Sequence, residues 1–440
     1  MYFRVVAFVL LGASAGFSGS VPKRVFHQPT PVPDRIILTW SGDPATTQSV
    51  TWRTDASVKR ARAEIAVAED GPKFTREKRT VEATTVPFES NLGEARMHTA
   101  TFTGLEPDTL YAYRVGDGDN WSEWFQFRTA SREPKPLAFL FFGDAQTHVL
   151  EHWSRVVRAG FQMAPDAKFM LHTGDLVNNG HRDELWGEWF KAAGWIDATI
   201  PSILTPGNHE YGFIFNKGLP RQWQAQFELP RNGPPGLEET CYYIDVQGVR
   251  VIALNSNEKR QEQAAWLEQV LSNNPNRWTV VAFHHPVYSA AKLRNNEELR
   301  ELWQPIFDKY GVDLVLNGHD HTYARTNLVT GAGARLPGRT MYVLSVSGPK
   351  MYRGKTADWM RKSGSGVQLV QIIRIDGDRL TYEARTVTGR LFDAFELRKR
   401  EGMANLLVNR VPGEEVEQAE TESPVPACVG GGALEAPAAR

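Results

Sequence analysis

Between residues 137 and 321 the chain repeats one local pattern, in which an apolar run ends at a loop that carries Asp, Asn or His. The loops are Gly143-Asp144, Gly174-Asp175, Gly207-Asn208-His209-Glu210, His284-His285-Pro286 and Gly318-His319-Asp320-His321. Continuous apolar runs indicate strands that are buried on both faces of a sheet. Because the loops at the carboxyl ends of such strands meet at one edge, the pattern predicts an α/β domain with one cluster of polar side chains.

The residue types in these loops predict a site for two metal ions. Imidazole and carboxylate groups are common metal ligands, and a bridging carboxylate holds two cations roughly 3.5–4 Å apart in two-metal hydrolases. Asp175 is the predicted bridge. The other predicted ligands are Asp144 and His321 for one metal, and Asn208, His284 and His319 for the second. This mixture of donors favours first-row ions such as Fe, Zn or Mn over calcium or a thiolate-bound structural zinc.

Each of these residues, taken alone, has an ordinary structural explanation. Gly-Asp pairs such as the one at Asp144 are common in turns, and Asn208 is also suited to cap a helix. His284, between Phe283 and Pro286, is also compatible with a packed core histidine. The joint placement of all these residues at strand ends is what favours a functional site.

Residues 35–130 have a different pattern and predict a separate β-sandwich. Short β-type runs, for example residues 49–53 and 110–115, alternate with turn residues. Residues 104–113 resemble the corner before a late strand of a fibronectin type III-like domain. Because no cluster of ligand-type residues occurs here, we interpret this domain as a support or a lid.

The two ends of the chain differ from the regions between them. Arg4, an apolar run over residues 5–11 and Ala13-Ser14-Ala15 are typical of an export signal over residues 1–20, although a buried strand is the alternative. A Pro-rich linker over residues 21–34 leads to the sandwich, the α/β domain covers residues 131–400, and residues 401–440 have the composition of a disordered tail. We therefore expect a secreted, periplasmic or extracellular protein.

Composition excludes several classes of partner and of fold. The net charge of −1 gives no reason to expect nucleic acid as a stable partner. No run is long enough for a transmembrane helix. The two cysteines, Cys241 and Cys428, are too few for a disulfide framework, and the sequence leaves open whether they pair.

The series GD, GD, GNHE, HHP and GHDHTY behind a sandwich domain resembles the calcineurin-like metallophosphoesterases, and within them the purple acid phosphatases. The resemblance covers about residues 35–400 and implies a four-layer αββα catalytic fold. It also implies that the six ligands named above bind two metals, and that a small phosphomonoester is hydrolysed. His209 would then face the substrate rather than a metal, and would stabilise the transferring phosphoryl group or protonate the leaving oxygen.

Two positions depart from the resembling families. Purple acid phosphatases have a metal-binding tyrosine three residues after the bridging aspartate, where this chain has Asn178, so we predict a protein without purple colour. Other members have a histidine two residues after the first aspartate, where this chain has Gln146. The amide oxygen of Gln146 would either ligate a hard cation or bind a water or the phosphate.

The run Gly-Asp-Leu-Val-Asn-Asn-Gly at residues 174–180 is more similar to the phosphodiesterase branch of the superfamily. An alternative function is therefore a phosphodiesterase or nucleotidase on the same fold. A further alternative is a cell-surface binding protein whose metallophosphoesterase domain is inactive.

Overall fold

The computed structural model describes residues 21–212, 218–330, 333–415 and 417–419. The export signal expected over residues 1–20 and Cys428 lie outside these residues. Within them, no helix is both long enough and apolar enough to cross a bilayer.

In chain order, the first group of strands is β1 (Asp34–Thr39), β2 (Gln48–Asp55), β3 (Arg62–Val67), β4 (Arg79–Glu82), β5 (Thr84–Ser90), β6 (Gly93–Phe102), β7 (Leu110–Gly116) and β8 (Phe125–Arg128). The second group is β9 (Leu137–Phe142), β10 (Phe169–Thr173), β11 (Ser202–Thr205), β12 (Tyr242–Val246), β13 (Val249–Ala253), β14 (Trp278–Phe283), β15 (Leu314–Asn317) and β16 (Tyr323–Thr330). The last group is β17 (Gly333–Pro337), β18 (Thr340–Leu344), β19 (Lys362–Gly364), β20 (Leu369–Asp376), β21 (Arg379–Thr386), β22 (Leu391–Arg398), β23 (Leu406–Asn409) and β24 (Glu417–Ala419).

The helices are α1 (Lys23–Phe26), α2 (Ser154–Met163), α3 (Asp183–Ala193), α4 (Asn208–Tyr211), α5 (Arg221–Gln226), α6 (Arg260–Ser272), α7 (Glu297–Leu302) and α8 (Gln304–Tyr310). A π-helical turn, Val149–Trp153, leads directly into α2, and short 3₁₀ turns cover Pro72–Glu77 and Gly194–Ile196.

The N-terminal strands form the predicted β-sandwich. One sheet has the order β4-β3-β7-β8, and β1, β2, β6 and β5 form the second layer. Apolar side chains fill the space between the layers, including Trp52, Phe102, Tyr113 and Phe127, which are all buried. Tertiary pairing also stabilises β4 and β5, two strands whose polar sequences gave no strand prediction.

The region after the sandwich contains two large sheets that face each other. In the first, β9, β10 and β11 are parallel and sit between the C-terminal antiparallel strands and β1 of the sandwich. In the second, β13, β14, β15 and β18 are parallel neighbours. Phe139 of the first sheet and Leu316 of the second belong to the same buried cluster, so the apolar core lies between the sheets.

Helices cover the outer faces of both sheets. Trp153, next to α2, packs edge-on against Phe142 of the first sheet, and Phe307 of α8 packs against Phe283 of the second. This arrangement is the mixed α/β, four-layer architecture that the sequence predicted.

One prediction about the elements was wrong. The disordered tail was expected to begin at residue 401, but β23 pairs with β22 over four residue pairs from Phe395↔Asn409 to Arg398↔Leu406. The helical stretch over residues 297–310 divides at Trp303 into α7 and α8. Pro305 at the start of α8 accounts for the break, because proline lacks the N–H group that a continuous helix requires and its ring clashes with the preceding turn.

A buried ion-pair network connects the sandwich to the region after it. Arg35 of β1 donates to both carboxylate oxygens of Asp183 at the start of α3, over 2.8 and 2.9 Å. Arg53 of β2 donates to the same carboxylate over 3.2 Å and to Asp34 over 2.6 Å. Because the Arg35, Arg53 and Asp183 side chains are at most 2% exposed, the two parts of the chain share one desolvated charge cluster.

Candidate metal centre

The candidate ligands come from both large sheets and meet above the ends of their parallel strands. Asp144 follows β9, Asp175 follows β10, and Asn208 opens α4 after β11. The second sheet contributes the histidines of the loops after β14 and β15. The two sheets therefore bring carboxylate and amide oxygens from one side together with imidazoles from the other.

Four of these residues have a left-handed backbone, which is uncommon outside glycine. The φ angle is +47° at Asp144, +51° at Asp175, +77° at His319 and +47° at His321. Neighbouring glycines allow the close approach that follows, because a Cβ atom at Gly318 would lie only 2.5 Å from Asp144 Oδ2. Strained backbone held in place at several ligand-type residues is a feature of functional sites.

The first cluster consists of Asp144, Asp175 and His321, whose ligand atoms all lie within 4.8 Å of one another. Asp144 Oδ2 accepts the backbone N–H of His319 over 2.7 Å. Its other oxygen, Oδ1, is buried without a hydrogen-bond partner in the described part of the chain and lies 3.7 Å from His321 Nε2. His321 Nδ1 is 2.8 Å from the Lys350 carbonyl, so the neutral ring presents the lone pair of Nε2 to the cluster.

The second cluster centres on His284. Its Nδ1–H donates to the Thr173 carbonyl over 2.8 Å, which leaves the Nε2 lone pair facing inward. Nε2 lies 3.0 Å from Asn208 Oδ1, 3.0 Å from His319 Nδ1 and 3.3 Å from Asp175 Oδ1. Acceptor atoms that converge in this way repel one another unless a cation lies between them, so the donor set fits a bound metal.

The pKa values of the site histidines also depend on the buried carboxylates and imidazoles around them. Burial lowers the pKa of His284, but the carboxylates of Asp175 and Asp144 outweigh this effect and raise the pKa to about 9. Burial lowers the pKa of His321 to about 4, and burial together with His284 lowers the pKa of His319. The carboxylates around His284 Nε2 thus favour a positive charge at that point, whether a proton or a metal ion supplies it.

Asp175 lies between the two clusters. Its Oδ1 is the atom 3.3 Å from His284 Nε2, and the same carboxylate belongs to the group with Asp144 and His321. Asp175 Oδ1 also accepts the backbone N–H of His209 over 3.0 Å. This position between both ligand groups is the one expected of a bridge.

His209 lies at the edge of the clusters, and a backbone carbonyl fixes the orientation of its ring. Its Nδ1 donates to the Asn178 carbonyl over 2.7 Å, and its Nε2 is 3.9 Å from Asp175 Oδ2. The side chain is 11% exposed, and burial lowers the pKa of its imidazole. His209 therefore has a fixed orientation and presents Nε2 towards the site.

Glu210 is a residue of the site whose role the sequence did not reveal. Its Oε2 accepts the N–H groups of Asp175 and Gly207 over 2.8 and 2.7 Å, and its Oε1 accepts that of Leu176 over 2.8 Å. Burial, followed by the charge of Asp175, raises the pKa of Glu210 to about 7. The carboxylate thus joins the loop after β10 to the loop after β11. The position of Glu210 directly after His209 was the one feature of the sequence that could have indicated its role.

Two further residues lie close to the clusters. Gln146 Nε2 is 3.4 Å from Asp175 Oδ2, whereas its Oε1 is buried and has no hydrogen-bond partner in the described chain. His285 Nδ1 bonds with Ser256 Oγ over 2.8 Å, and its ring centroid is 4.4 Å from that of His319. Both side chains therefore contact candidate metal ligands, Asp175 in the case of Gln146 and His319 in the case of His285.

Two family descriptions match the chain. Residues 33–129 match the purple acid phosphatase N-terminal domain, and residues 127–323 match the calcineurin-like phosphoesterase domain.

The relatives agree with these descriptions. An uncharacterised protein of Mycobacterium tuberculosis is 29% identical over 338 residues, which cover 67% of this chain and 62% of that protein. Human acid phosphatase type 7 is 28% identical over 353 residues, covering 72% of this chain and 75% of that one. This chain therefore spans less than two thirds of the length of the mycobacterial relative.

A solved structure shows the same fold. The purple acid phosphatase PPD1 from yellow lupin (Lupinus luteus) seeds superposes with a TM-score of 0.72 and 18% sequence identity, covering 84% of this chain and 75% of the lupin protein.

Proposed function

Because the chain belongs to the calcineurin-like metallophosphoesterases and is purple acid phosphatase-like, we propose that it hydrolyses phosphoric monoesters with two bound metal ions. The observation that carries this proposal is the convergence of acceptor atoms around His284 Nε2 and Asp144 Oδ1.

In this proposal the ligands divide between two metals as the two clusters do. Asp144 and His321 hold one ion and Asn208, His284 and His319 hold the other, with Asp175 between them. The oxygen and nitrogen donors suit Fe, Zn or Mn. When bound, two such ions supply an activated water and neutralise the charge on the phosphoryl oxygens.

The side chains of the protein orient the substrate around these ions. His209, fixed through Nδ1 by the Asn178 carbonyl, presents Nε2 to the phosphoryl group or to the leaving oxygen. A protonated Nε2 donates a hydrogen bond there, whereas a neutral one accepts a proton from water. Glu210 touches no substrate in this scheme and instead holds the two loops that carry Asp175 and Asn208.

Metal analysis of protein purified without chelators tests the proposal directly. We expect about two metal ions per chain and a colourless solution, because Asn178 replaces the tyrosine. Asn178→Tyr in iron-loaded protein would then produce visible absorption, and Asn179→Tyr, one residue further on, serves as the matched control. Fewer than one metal per chain would contradict the catalytic proposal and favour the inactive binding protein.

The choice between monoesters and diesters needs a second measurement. The run Gly-Asp-Leu-Val-Asn-Asn-Gly at residues 174–180, which includes Asn178, favours a phosphodiesterase or nucleotidase as the alternative function. Turnover of para-nitrophenyl phosphate above that of its bis ester supports the monoesterase. The opposite ranking favours the alternative.

We also propose that the protein is exported, on the basis of the signal-type pattern over residues 1–20. Expression of the full chain followed by N-terminal sequencing of the mature protein tests this proposal. A mature protein that remains in the cytoplasm with residues 1–20 intact would contradict it.

A further inference from the structure

A cleft lies between the sandwich and the region after it, at the end of the first large sheet that is away from the candidate metal centre. It is bordered by Leu137 at the start of β9, by Lys168 directly before β10 and by Pro201 directly before β11. The candidate metal ligands follow the opposite, carboxyl ends of the same three strands. Because β10 has five residues and a strand rises about 3.3 Å per residue, the cleft and the metal centre are separate sites.

The cleft is large enough to hold a small molecule. Its volume is about 790 Å³, which falls within the range of roughly 300–1,000 Å³ for ligand pockets. Leu110 and Phe127 of the sandwich line it together with Phe161 of α2 and Trp195 of the 3₁₀ turn after α3. Side chains from both parts of the chain therefore border one space, as is common for ligand sites between domains.

Part of this lining is aromatic surface that the fold leaves in contact with water. Trp195 is 53% exposed, and Phe161 is only partly buried against the apolar core. The two rings meet edge to face, with their centroids 4.9 Å apart. An apolar chain placed against these rings would remove their surface from water, and such burial favours binding.

The ammonium group of Lys168 lies at this cleft without a partner. In the described part of the chain, its Nζ has neither a hydrogen-bond acceptor nor an ion pair. Two carboxylates nearby are already paired with other cations. Asp108 accepts from Lys135 over 2.7 Å, and Asp166 accepts from Arg374 over 2.5 Å. The charge of Lys168 is therefore available to a ligand.

The charged side chains that line the cleft have an excess of one positive charge. Three cations, Arg128, Lys168 and Arg374, lie there with two carboxylates, Asp166 and Asp376. Burial is the largest effect on the pKa of Lys168 and lowers it. The ammonium has thus lost part of its hydration without gaining an ion pair in exchange, and an anion beside it would compensate for this loss.

We infer that this cleft binds a small amphipathic carboxylate, with its carboxylate on the ammonium of Lys168 and its apolar chain against Phe161 and Trp195. The inference concerns a second site and does not depend on the proposed hydrolysis. One carboxylate matches the excess of one positive charge, and its hydrogen bond from an ammonium is charge-assisted. The backbone N–H of Lys168 donates to the Ala138 carbonyl over 2.8 Å, so the sheet holds this residue in place.

Isothermal titration calorimetry of the full chain with three probes tests the inference. Decanoate has both the carboxylate and the chain, decan-1-ol has the chain without the charge, and acetate has the charge without the chain. We expect decanoate to bind about tenfold or more tightly than decan-1-ol, and acetate to show no binding over the same concentrations. Equal affinities for decanoate and decan-1-ol, or no binding of decanoate, would overturn the inference.

Substitution of Lys168 tests the contact with the carboxylate. Lys168→Met should weaken the binding of decanoate about tenfold, to the affinity of decan-1-ol. The affinity for decan-1-ol should stay unchanged, which shows that the variant retains the cleft. Lys168→Arg should keep most of the preference for decanoate. Lys309→Met, which removes a surface cation paired with Glu268, is the control. Wild-type affinity for decanoate in Lys168→Met would contradict the inference.

Fluorescence quenching tests where the apolar chain lies. Decanoate with a bromine atom on its last carbon quenches a tryptophan that it contacts. Most of this quenching should be lost in Trp195→Phe, which keeps an aromatic ring in the cleft. It should persist in Trp266→Phe, whose tryptophan lies outside the cleft. Equal quenching of the wild type and Trp195→Phe would place the probe elsewhere and overturn the inference.

A comparison of metal-loaded and chelator-treated protein separates this cleft from the candidate metal centre. Carboxylates are also metal ligands, so decanoate could in principle bind to the ions instead of Lys168. We expect the same decanoate affinity in both samples, because the cleft and the metal ligands lie at opposite ends of the strands. An affinity that falls when metal is removed would place the carboxylate on the ions and overturn the inference.

Discussion

The proposed role of His209 in acting on the substrate agrees with its position. Its Nδ1 donates to a backbone carbonyl, its Nε2 lies 3.9 Å from Asp175 Oδ2, and its backbone N–H donates to the carboxylate of Asp175. A metal ligand would be expected to direct a lone pair into one of the two clusters. The structure brings the other six candidates into those clusters and leaves this imidazole beside them.

His209→Ala is expected to lower kcat by about 10²–10⁴-fold while the metal content stays at the wild-type value. The physical reason is that the substitution removes a proton-transfer or hydrogen-bonding group without removing a ligand. Elemental analysis and kcat are measured on the same preparation, with the exposed His152→Ala as the control. Metal lost in proportion to activity would show that His209 is a ligand.

Glu210→Gln tests a residue that supports the site without joining it. A glutamine offers only one acceptor oxygen to N–H groups that now bond with both oxygens of the carboxylate. We expect metal affinity to fall about 10–100-fold, because the loops that carry Asp175 and Asn208 lose their connection. Competition with a chelator measures this affinity. Glu258→Gln, which alters a more exposed carboxylate bonded to Tyr211, is the control, and equal affinities in the two variants would contradict the role.

Among single elements, β6 contains a histidine that should make stability depend on pH. His98 is fully buried, its ring nitrogens bond with Thr54 over 2.8 Å and Thr85 over 2.9 Å, and burial lowers its pKa to about 4. Between pH 6.5 and 4 the unfolded chain therefore binds a proton that the folded chain does not. The contribution of His98 to stability is complete above pH 6.5 and is lost as the pH falls towards 4.

His98→Gln should reduce this pH dependence. Between pH 7 and pH 5 the free energy of unfolding of the variant should fall by about 2 kcal/mol less than that of the wild type. Denaturant unfolding at both pH values measures the free energy of unfolding of each protein. The contributions of the histidines that both proteins share cancel when the variant is compared with the wild type. His152→Gln, on the surface, should behave like the wild type. If the free energy of unfolding of His98→Gln depends on pH as steeply as that of the wild type, His98 is protonated equally in the folded and unfolded states.

Elements with a strong local signal were predictable, and those that depend on pairing with another strand were not. The run Leu137–Phe142 is buried at every position, so its strand was evident from hydrophobicity alone. By contrast, β23 has only four residues in a Gly- and Glu-rich context, and its stability comes from pairing with β22. This pairing is a contact between two strands, and no local propensity of Leu406–Asn409 reports it.

At the scale of the whole molecule, the Arg35–Asp183–Arg53 network is a buried polar link between the two regions. Asp183→Asn should destabilise the protein by about 3–5 kcal/mol, because two buried guanidinium groups lose their shared carboxylate. Thermal and denaturant unfolding measure this loss. Asp166→Asn, which breaks an exposed pair with Arg374, should cost less than about 1 kcal/mol. Equal effects of the two substitutions would mean that the network is not desolvated in solution.

The candidate ligands of the site were predictable from the sequence, but the residues that hold the surrounding loops and domains in place were not. Residue type and strand-end position identified Asp144, Asp175, Asn208 and the histidines, because the topology of parallel strands places their loops together. The roles of Arg35, Asp183 and Glu210 depend on contacts between separate elements. Their charged side chains look like ordinary surface residues until the fold buries them.

Because the ligand residues have a left-handed backbone, the residues that favour metal binding lower the thermal stability of the chain when no metal is bound. Each such residue costs about 1–3 kcal/mol in the metal-free chain, which bound metal would offset. A library of variants screened for thermal survival in chelator should therefore accumulate glycine at Asp144, Asp175, His319 and His321, since glycine relieves the strain. The same library screened with metal present should retain the original residues. The directions in which this protein can evolve would then depend on the ion supply of its surroundings as much as on temperature.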